Sequence, residues 1–220
     1  MARKLTKHEL KDPDKFQVLV SQIMMYLAEN KQKFYIGAGI IILIAVIVGG
    51  WYLYDLNMEK SAHKIYTRIY TLPAGDDKGA IGIFKDVVSK YPNSRAAALA
   101  NYRLANLYYQ QNDFDAAVKS YEAFLKQTPD KSDLKPLGYM GLGYSYESKK
   151  DFKNALAAFE KASTTESGKI FEGINDQNIA RVYEAMNDRA KALEYYQKAL
   201  VKNKDPFSEL LIKRKIAALS

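Results

Sequence analysis

The chain has 220 residues, a formal net charge of +8 and no cysteine. The lack of cysteine excludes a disulfide framework, a cysteine nucleophile and a cysteine-linked lipid anchor. The positive charge does not indicate nucleic-acid binding, because the lysines are spread among acidic residues without a basic stripe.

Residues 1–33 are predicted to be a short leader with one amphipathic helix. Residues 1–11 are basic and predicted to be loose, and Asp12-Pro13 has the pattern of a helix N-cap followed by proline at the first helical position. Apolar residues then recur at spacings of three and four, at Phe16, Leu19, Val20, Ile23, Met24 and Leu27. This stripe suits a docking helix or a helix that lies on the membrane surface, and the second is favoured.

Residues 34–54 are predicted to be a single membrane-spanning helix. They carry no charge, and at about 1.5 Å rise per residue they form a helix roughly 30 Å long, which matches a bilayer's hydrocarbon core. Aromatic residues, which favour the headgroup level, lie at both ends: Phe34, Tyr35, Trp51, Tyr52 and Tyr54. A buried core helix is the alternative, but such helices are rarely free of charge over this length. A cleaved signal peptide does not fit, because the bulky end offers no small-residue cleavage site.

The charges on either side of this segment predict its orientation. The 33 residues before it carry a net +3 and the 166 residues after it a net +5, so bases are denser before it. Lys31 and Lys33 precede the segment, whereas Asp55 and Glu59 follow it. By the positive-inside rule, the N-terminus is predicted to be cytosolic and the domain of residues 55–220 to lie across the membrane.

Three copies of one pattern follow in residues 99–206. In each copy a small residue is followed twelve residues later by an alanine: Ala105 and Ala117, Gly143 and Ala155, Ala180 and Ala192. A tyrosine and an aspartate keep equal offsets, at Tyr108, Tyr146 and Tyr183 and at Asp113, Asp151 and Asp188. The small residues predict closely packed helix pairs, and each aspartate predicts the N-cap of a second helix. The pattern resembles the tetratricopeptide repeat (TPR) family and implies an all-α solenoid of helical hairpins.

A degenerate fourth copy and a capping helix are predicted at the two ends of the solenoid. The second helix of the degenerate copy keeps its pattern at Ala80, Phe84, Val87 and Pro92. Its first helix has an apolar stripe at Ala62, Ile65, Tyr66 and Ile69 but lacks the small-residue mark. After Asp205-Pro206, a helix with Leu210, Leu211, Ile216 and Leu219 is predicted to cover the last apolar face.

The first helices of such repeats line an inner groove, and their exposed positions are the candidate site. The predicted partner-binding residues are Tyr102, Asn106, Tyr109, Met140, Tyr144, Gln177 and Arg181. Tyrosine gives a large amphipathic contact area, which suits a peptide or protein partner. The alternative is that several of these side chains belong to the half-buried core. The TPR type that clamps an acidic C-terminus is disfavoured, because Tyr102 stands where a lysine is needed.

No enzymatic activity, cofactor or metal is predicted. The two histidines, His8 and His63, lie far apart and outside any cluster with metal-ligand spacing. Phosphate-binding and nucleophile-elbow motifs are absent from the sequence. Gly138, Gly141 and Gly143 fall inside a helical repeat, so we interpret them as packing residues.

The order of leader, membrane-spanning segment and repeats resembles the YfgM-type ancillary subunit family of the SecYEG translocon. The resemblance rests on Leu27–Lys31 before a Gly-rich Ile/Val segment, on Gly50-Trp51-Tyr52 and on the terminal residues 215–220. It implies a single-pass protein of the bacterial inner membrane that faces the periplasm. The implied partners are the translocon, a membrane-anchored periplasmic chaperone and client polypeptides. The longer leader and more regular repeats leave open a TPR scaffold for another envelope-assembly or secretion machine.

Overall fold

The computed structural model describes residues 15–203 and 205–219. The predictions for residues 1–11 and Asp12-Pro13 lie outside these ranges. Within them the chain has ten α-helices and no strand, so the prediction of an all-α fold is confirmed. The helices are α1 (Lys15–Glu29), α2 (Lys31–Tyr66), α3 (Asp77–Lys90), α4 (Arg95–Gln110), α5 (Phe114–Gln127), α6 (Lys135–Ser148), α7 (Phe152–Thr164), α8 (Glu172–Ala185), α9 (Arg189–Lys202) and α10 (Pro206–Leu219). Two 3₁₀ helices, Thr67–Thr71 and Glu166–Phe171, lie between them.

The chain divides into two compact units after Leu56. The first unit contains α1 and the first part of α2. These two helices are separated by Asn30 alone, and backbone hydrogen bonds of 3.0 Å continue across it, from Asn30 to Tyr26 and from Phe34 to Asn30. The predicted leader helix is therefore formed, and it connects to the apolar segment without a loop.

Helix α2 contains the whole apolar segment of residues 34–54. Its most apolar stretch has a mean hydropathy of 2.4, and none of that stretch is buried. Phe34 is 51% exposed and Trp51 70%, which argues against a buried core helix. Among the described residues, this is the one helix long and apolar enough to cross a membrane.

The second unit is a solenoid of helical hairpins. Helices α4 and α5, α6 and α7, and α8 and α9 form closely packed pairs, and each pair packs on the next in chain order. The small residues predicted to allow this contact, Ala105, Ala117, Ala155, Ala180 and Ala192, are all 0% exposed. Gly138, Gly141 and Gly143 are buried in α6, as predicted for packing glycines. Successive hairpins are joined by the turn after α5 and by the 3₁₀ helix Glu166–Phe171.

The turn inside each hairpin has the same geometry three times. Asp113, Asp151 and Asp188 cap the second helices by accepting hydrogen bonds from backbone N–H groups three residues ahead. Their own N–H groups donate to Tyr108, Tyr146 and Tyr183, each at 2.9 Å, which closes the end of the first helix. The residue before each aspartate is left-handed: Asn112, Lys150 and Asn187 have φ of 61°, 60° and 60°. The predicted aspartate N-caps are thus confirmed.

Lys150→Asn is expected to stabilise the second of these hairpins. Left-handed backbone costs an ordinary L-residue about 1–2 kcal/mol, whereas asparagine visits this region routinely. Since the other two turns have Asn112 and Asn187 at this position, we expect a gain of a few tenths to about 1 kcal/mol. Hydrogen exchange of α6 and α7 would measure it, and Asn112→Lys should destabilise its own hairpin by a similar amount. Equal exchange in all three proteins would contradict the argument.

The first hairpin departs from the predicted offsets. Its second helix, α3, is regular, and Asp76 caps it by accepting a 2.9 Å hydrogen bond from the Gly79 N–H. The first helix has no small residue at the regular offset, but its Ala62 is 0% exposed and packs in one cluster with Ala80 and Phe84. It lies fourteen residues before Asp76, whereas Ala105 lies eight before Asp113. The 3₁₀ helix Thr67–Thr71 and the turn at Gly75, with φ of 82°, lengthen this hairpin. Ala62 therefore does not lie at the sequence offset that the other three repeats share.

Helix α10 caps the solenoid, as predicted, but a different residue makes the central contact. Ile212 is 0% exposed and packs in one cluster with Ala180, Tyr196 and Ala199. Ile216 and Leu219 lie against this cluster. The prediction was wrong for Leu210 and Leu211, which are 48% and 39% exposed, because the helix turns Ile212 toward α9.

Candidate functional site

The seven predicted partner-binding residues lie on α4, α6 and α8, and we call them the groove face. All seven are half-buried. Met140 and Gln177 occupy the positions of α6 and α8 that correspond to Tyr102 on α4. Half-burial alone is compatible with a role in the core or in partner binding, so the contacts of each side chain decide between the two.

On α4, Tyr102 and Asn106 are held by the helix that follows. The Tyr102 ring lies 6.0 Å from the Tyr121 ring and 5.1 Å from the Phe124 ring. The Tyr121 hydroxyl donates to Asn106 Oδ1 at 2.5 Å. Burial raises the pKa of Tyr121 far above its ordinary value, which keeps the hydroxyl protonated as the donor. Tyr102 therefore packs against the hydrophobic core, and Asn106 holds the Tyr121 side chain in place through this hydrogen bond.

Tyr109 links the groove face across two hairpins. Its ring lies 5.5 Å from that of Phe114 at the start of α5. Its hydroxyl oxygen accepts a long 3.5 Å hydrogen bond from Ser148 on α6. Tyr109 is half-buried, so part of its side chain remains accessible to a partner.

A polar network joins α6 to α8 and occupies Tyr144 and Arg181. Arg181 Nε and Nη2 donate to the two Glu147 oxygens at 2.7 and 2.6 Å, and Nη1 donates to Asn178 Oδ1 at 3.0 Å. The Asn178 amide donates to the Tyr144 hydroxyl at 2.9 Å. The hydrogen bonds to Glu147 raise the pKa of Arg181 further above its ordinary value. Three of the five Arg181 N–H groups are thus used inside the protein, so a partner would meet an arginine whose charge is already paired with Glu147.

A second hydrogen-bonded network lies at the α8 end of the groove face. Glu184 on α8 accepts hydrogen bonds from Lys215 on α10, at 2.8 and 3.0 Å, and from the Tyr196 hydroxyl on α9, at 2.9 Å. Partial burial acts to raise the pKa of Glu184, but the bonds from Lys215 and Tyr196 outweigh it and lower the pKa. The charged side chains of this end are thus paired within the protein.

An open cavity lies beside α4, at the lengthened first hairpin, and we call it the first-hairpin cavity. Its volume is about 430 Å³. Asn106 and Tyr109 of the groove face line it together with residues that the sequence did not single out as a site: Tyr66, Ile69, Tyr70, Phe84 and Arg103. The signal available in the sequence was the break of the repeat pattern before Asp76, which marks a hairpin that cannot close in the regular way.

The sequence matches the profile of a known protein family. The profile of the tetratricopeptide repeat-like domain family matches residues 25–220. The comparison with curated proteins gives no match.

Three solved structures have a similar fold. One is MamA, with a TM-score of 0.56 and 21% identity over 66% of this chain and 77% of that chain. Another is Pseudomonas aeruginosa pilF, with a TM-score of 0.54 and 18% identity over 75% and 68%. The third is a Podosopora anserina putative kinesin light chain with nearly identical TPR-like repeats, with a TM-score of 0.52 and 15% identity over 74% and 83%. At these identities the likeness concerns the fold.

Proposed function

The chain belongs to the tetratricopeptide repeat-like domain family, and we propose that it is a membrane-anchored protein whose groove face binds other polypeptides. Repeat domains of this kind are in general non-catalytic scaffolds for protein–protein interaction. The observation that supports partner binding here is the row of half-buried tyrosine and polar side chains on α4, α6 and α8. Such amphipathic side chains provide contact area at low entropic cost.

Membrane anchoring is the second part of the proposal. It is supported by the uncharged residues 34–54, which lie within α2 with their large side chains exposed. Leaving this much apolar surface in water is unfavourable at roughly 25 cal/mol per Å², so a bilayer is the natural environment for this helix. The denser positive charge before the segment favours a cytosolic N-terminus and a periplasmic repeat domain.

The finer proposal is an ancillary subunit of the Sec translocon in the bacterial inner membrane. It is supported by the resemblance of the segments around Leu27–Lys31 and Gly50–Tyr52 to the YfgM-type family. The partners would then be the translocon, a membrane-anchored periplasmic chaperone and client polypeptides. A scaffold for another envelope-assembly or secretion machine is the alternative, and the two proposals differ in the proteins that the groove face should contact.

A photoreactive amino acid in place of Tyr109 is expected to crosslink translocon or chaperone subunits in whole cells. The matched control position is Lys153, which is exposed on α7, away from the groove face. We expect far less crosslinking from the control, because it lies on the second helix of its hairpin. Capture of subunits of another envelope machine would support the alternative, and capture of cytosolic proteins alone would contradict both. Protease added to spheroplasts should digest the repeat domain; a protected domain would contradict the proposed topology.

A further inference from the structure

The first-hairpin cavity has an apolar floor and wall. Ala80 and Phe84 of α3 form the floor and are 8% and 4% exposed. The Tyr66 ring lies 5.4 Å from the Phe84 ring and forms the wall with Ile69. The cavity exists because the 3₁₀ helix Thr67–Thr71 replaces the tight turn of the regular hairpins. A volume of about 430 Å³ lies within the range of about 300–1,000 Å³ that is typical of ligand-binding pockets.

Among the residues that the structure describes, the lining of this cavity carries one positive charge and no negative charge. Arg103 is exposed, and within the same part of the chain it has no hydrogen-bond or ion-pair partner. The described lining residues include no Asp or Glu. Arg181 and Lys215, by contrast, are paired with Glu147 and Glu184. Of these three cations, Arg103 alone is free to pair with a carboxylate of a partner.

An exposed aromatic ring completes the rim. Tyr70 is 80% exposed, lies in the 3₁₀ helix Thr67–Thr71 and lines the cavity. Tyr and Arg are among the residue types most enriched in the residues that contribute most of the binding energy at protein interfaces. The arginine fork also pairs with a carboxylate through two parallel hydrogen bonds.

We propose that the first-hairpin cavity binds a peptide segment in which a large apolar side chain is adjacent to an Asp or Glu. The apolar side chain packs against the half-buried Tyr66 and Ile69, and the carboxylate pairs with Arg103. This proposal rests on the proposed function, since it assigns the partner's contact to one end of the groove face. The charge of the cavity rim selects an acidic segment over a basic one.

The test uses the full chain in lipid nanodiscs and fluorescein-labelled Gly/Ser peptides of twelve residues. The peptides carry Phe-Asp, Phe-Lys or Ala-Asp at their centre, and fluorescence anisotropy measures their affinity above that for empty nanodiscs. We expect the Phe-Asp peptide to bind at least about tenfold more tightly than the other two, because it alone satisfies both the pocket and Arg103.

A charge exchange gives the decisive comparison. Arg103→Glu should weaken binding of the Phe-Asp peptide by about tenfold or more and strengthen binding of the Phe-Lys peptide. Lys126→Glu on α5 makes the same change of net charge at an exposed position away from the cavity, and it should leave both affinities nearly unchanged. Tyr70→Ala should weaken the binding of the Phe-Asp and Phe-Lys peptides by the same factor. The helical signal in circular dichroism would check that each variant is folded.

Several outcomes would overturn the proposal. They are equal affinity for the Phe-Asp and Phe-Lys peptides, equal effects of Arg103→Glu and Lys126→Glu, and failure of the Phe-Lys peptide to gain affinity in Arg103→Glu. The proposed function is judged separately, because crosslinking from Tyr109 in cells can persist in the Arg103→Glu variant. If crosslinking from Tyr109 persists but Arg103→Glu does not reverse the peptide preference, only the proposal for the first-hairpin cavity is rejected.

Discussion

Gly141→Ala is expected to destabilise the junction of α5 and α6 by about 2 kcal/mol net. A Cβ at this position would lie 2.2 Å from Tyr121 Cζ and 2.5 Å from its hydroxyl oxygen. The ring cannot move aside easily, because Tyr121 is 3% exposed and its hydroxyl is bonded to Asn106. Overpacking of this kind costs about 1–3 kcal/mol, and the expected cost is at the upper end, against about 1 kcal/mol gained from alanine's helix propensity.

Gly82→Ala is the matched control, with the opposite expected sign. Gly82 lies inside α3, and nothing lies within 4 Å of the position of its Cβ. The helix-propensity gain of roughly 0.5–1 kcal/mol is then unopposed. Hydrogen exchange of the amides in α6 and α3 would measure the opening free energy of each helix.

The Gly141 prediction has a second, stricter test. Tyr121→Leu costs stability alone, but in the double variant with Gly141→Ala the clash is removed. The two changes should therefore destabilise the protein by clearly less than the sum of their separate effects. Additive effects, or equal exchange in Gly141→Ala and Gly82→Ala, would show that close contact with Tyr121 does not explain this glycine.

The regular hairpins could be predicted from the sequence because their information is local. An aspartate at Asp113, Asp151 or Asp188 caps the helix that it precedes, and the small residues lie at fixed offsets from it. Neither feature depends on residues far along the chain. The first hairpin was harder to predict, because the inserted 3₁₀ helix moves Ala62 out of the expected offset while leaving it fully buried.

The candidate site was less predictable, because its character depends on pairing between hairpins. Glu147 and Arg181 are 34 residues apart in sequence, and the pattern gives both as positions on first helices. Only the side-chain hydrogen bonds between α6 and α8 in the structure show that they neutralise each other. Arg103 gives the opposite case. No acid is found among the described residues that line the cavity, and this property of the folded chain cannot be read from a sequence pattern.

The capping helix illustrates a limit of apolar patterns. Leu210, Leu211 and Ile212 are consecutive, so any of the three suits an apolar stripe within the uncertainty of the helix phase. The structure selects Ile212, since only this side chain reaches the cluster around Tyr196 and Ala199. We therefore expect replacement of Ile212 to cost much more stability than replacement of its neighbours Leu210 and Leu211.

Ile212→Ala is expected to destabilise the last hairpin by about 2–5 kcal/mol. The side chain is 0% exposed, so its removal leaves a cavity between α10, α8 and α9 in addition to the lost burial of apolar surface. Leu210→Ala on the same helix is the matched control, because Leu210 is 48% exposed and its replacement should cost less than about 1 kcal/mol. Urea unfolding followed by circular dichroism would compare the two variants.

The effect of Ile212→Ala should also be local, because a repeat stabilises mainly its neighbours. Hydrogen exchange is expected to rise in α8, α9 and α10, where Ala180, Tyr196 and Ala199 lose a packing partner, and to change little in α4. Uniform acceleration over the whole solenoid would instead mean that the domain unfolds as one cooperative unit. Equal costs for Ile212→Ala and Leu210→Ala would contradict the assignment of Ile212 as the central contact of the cap.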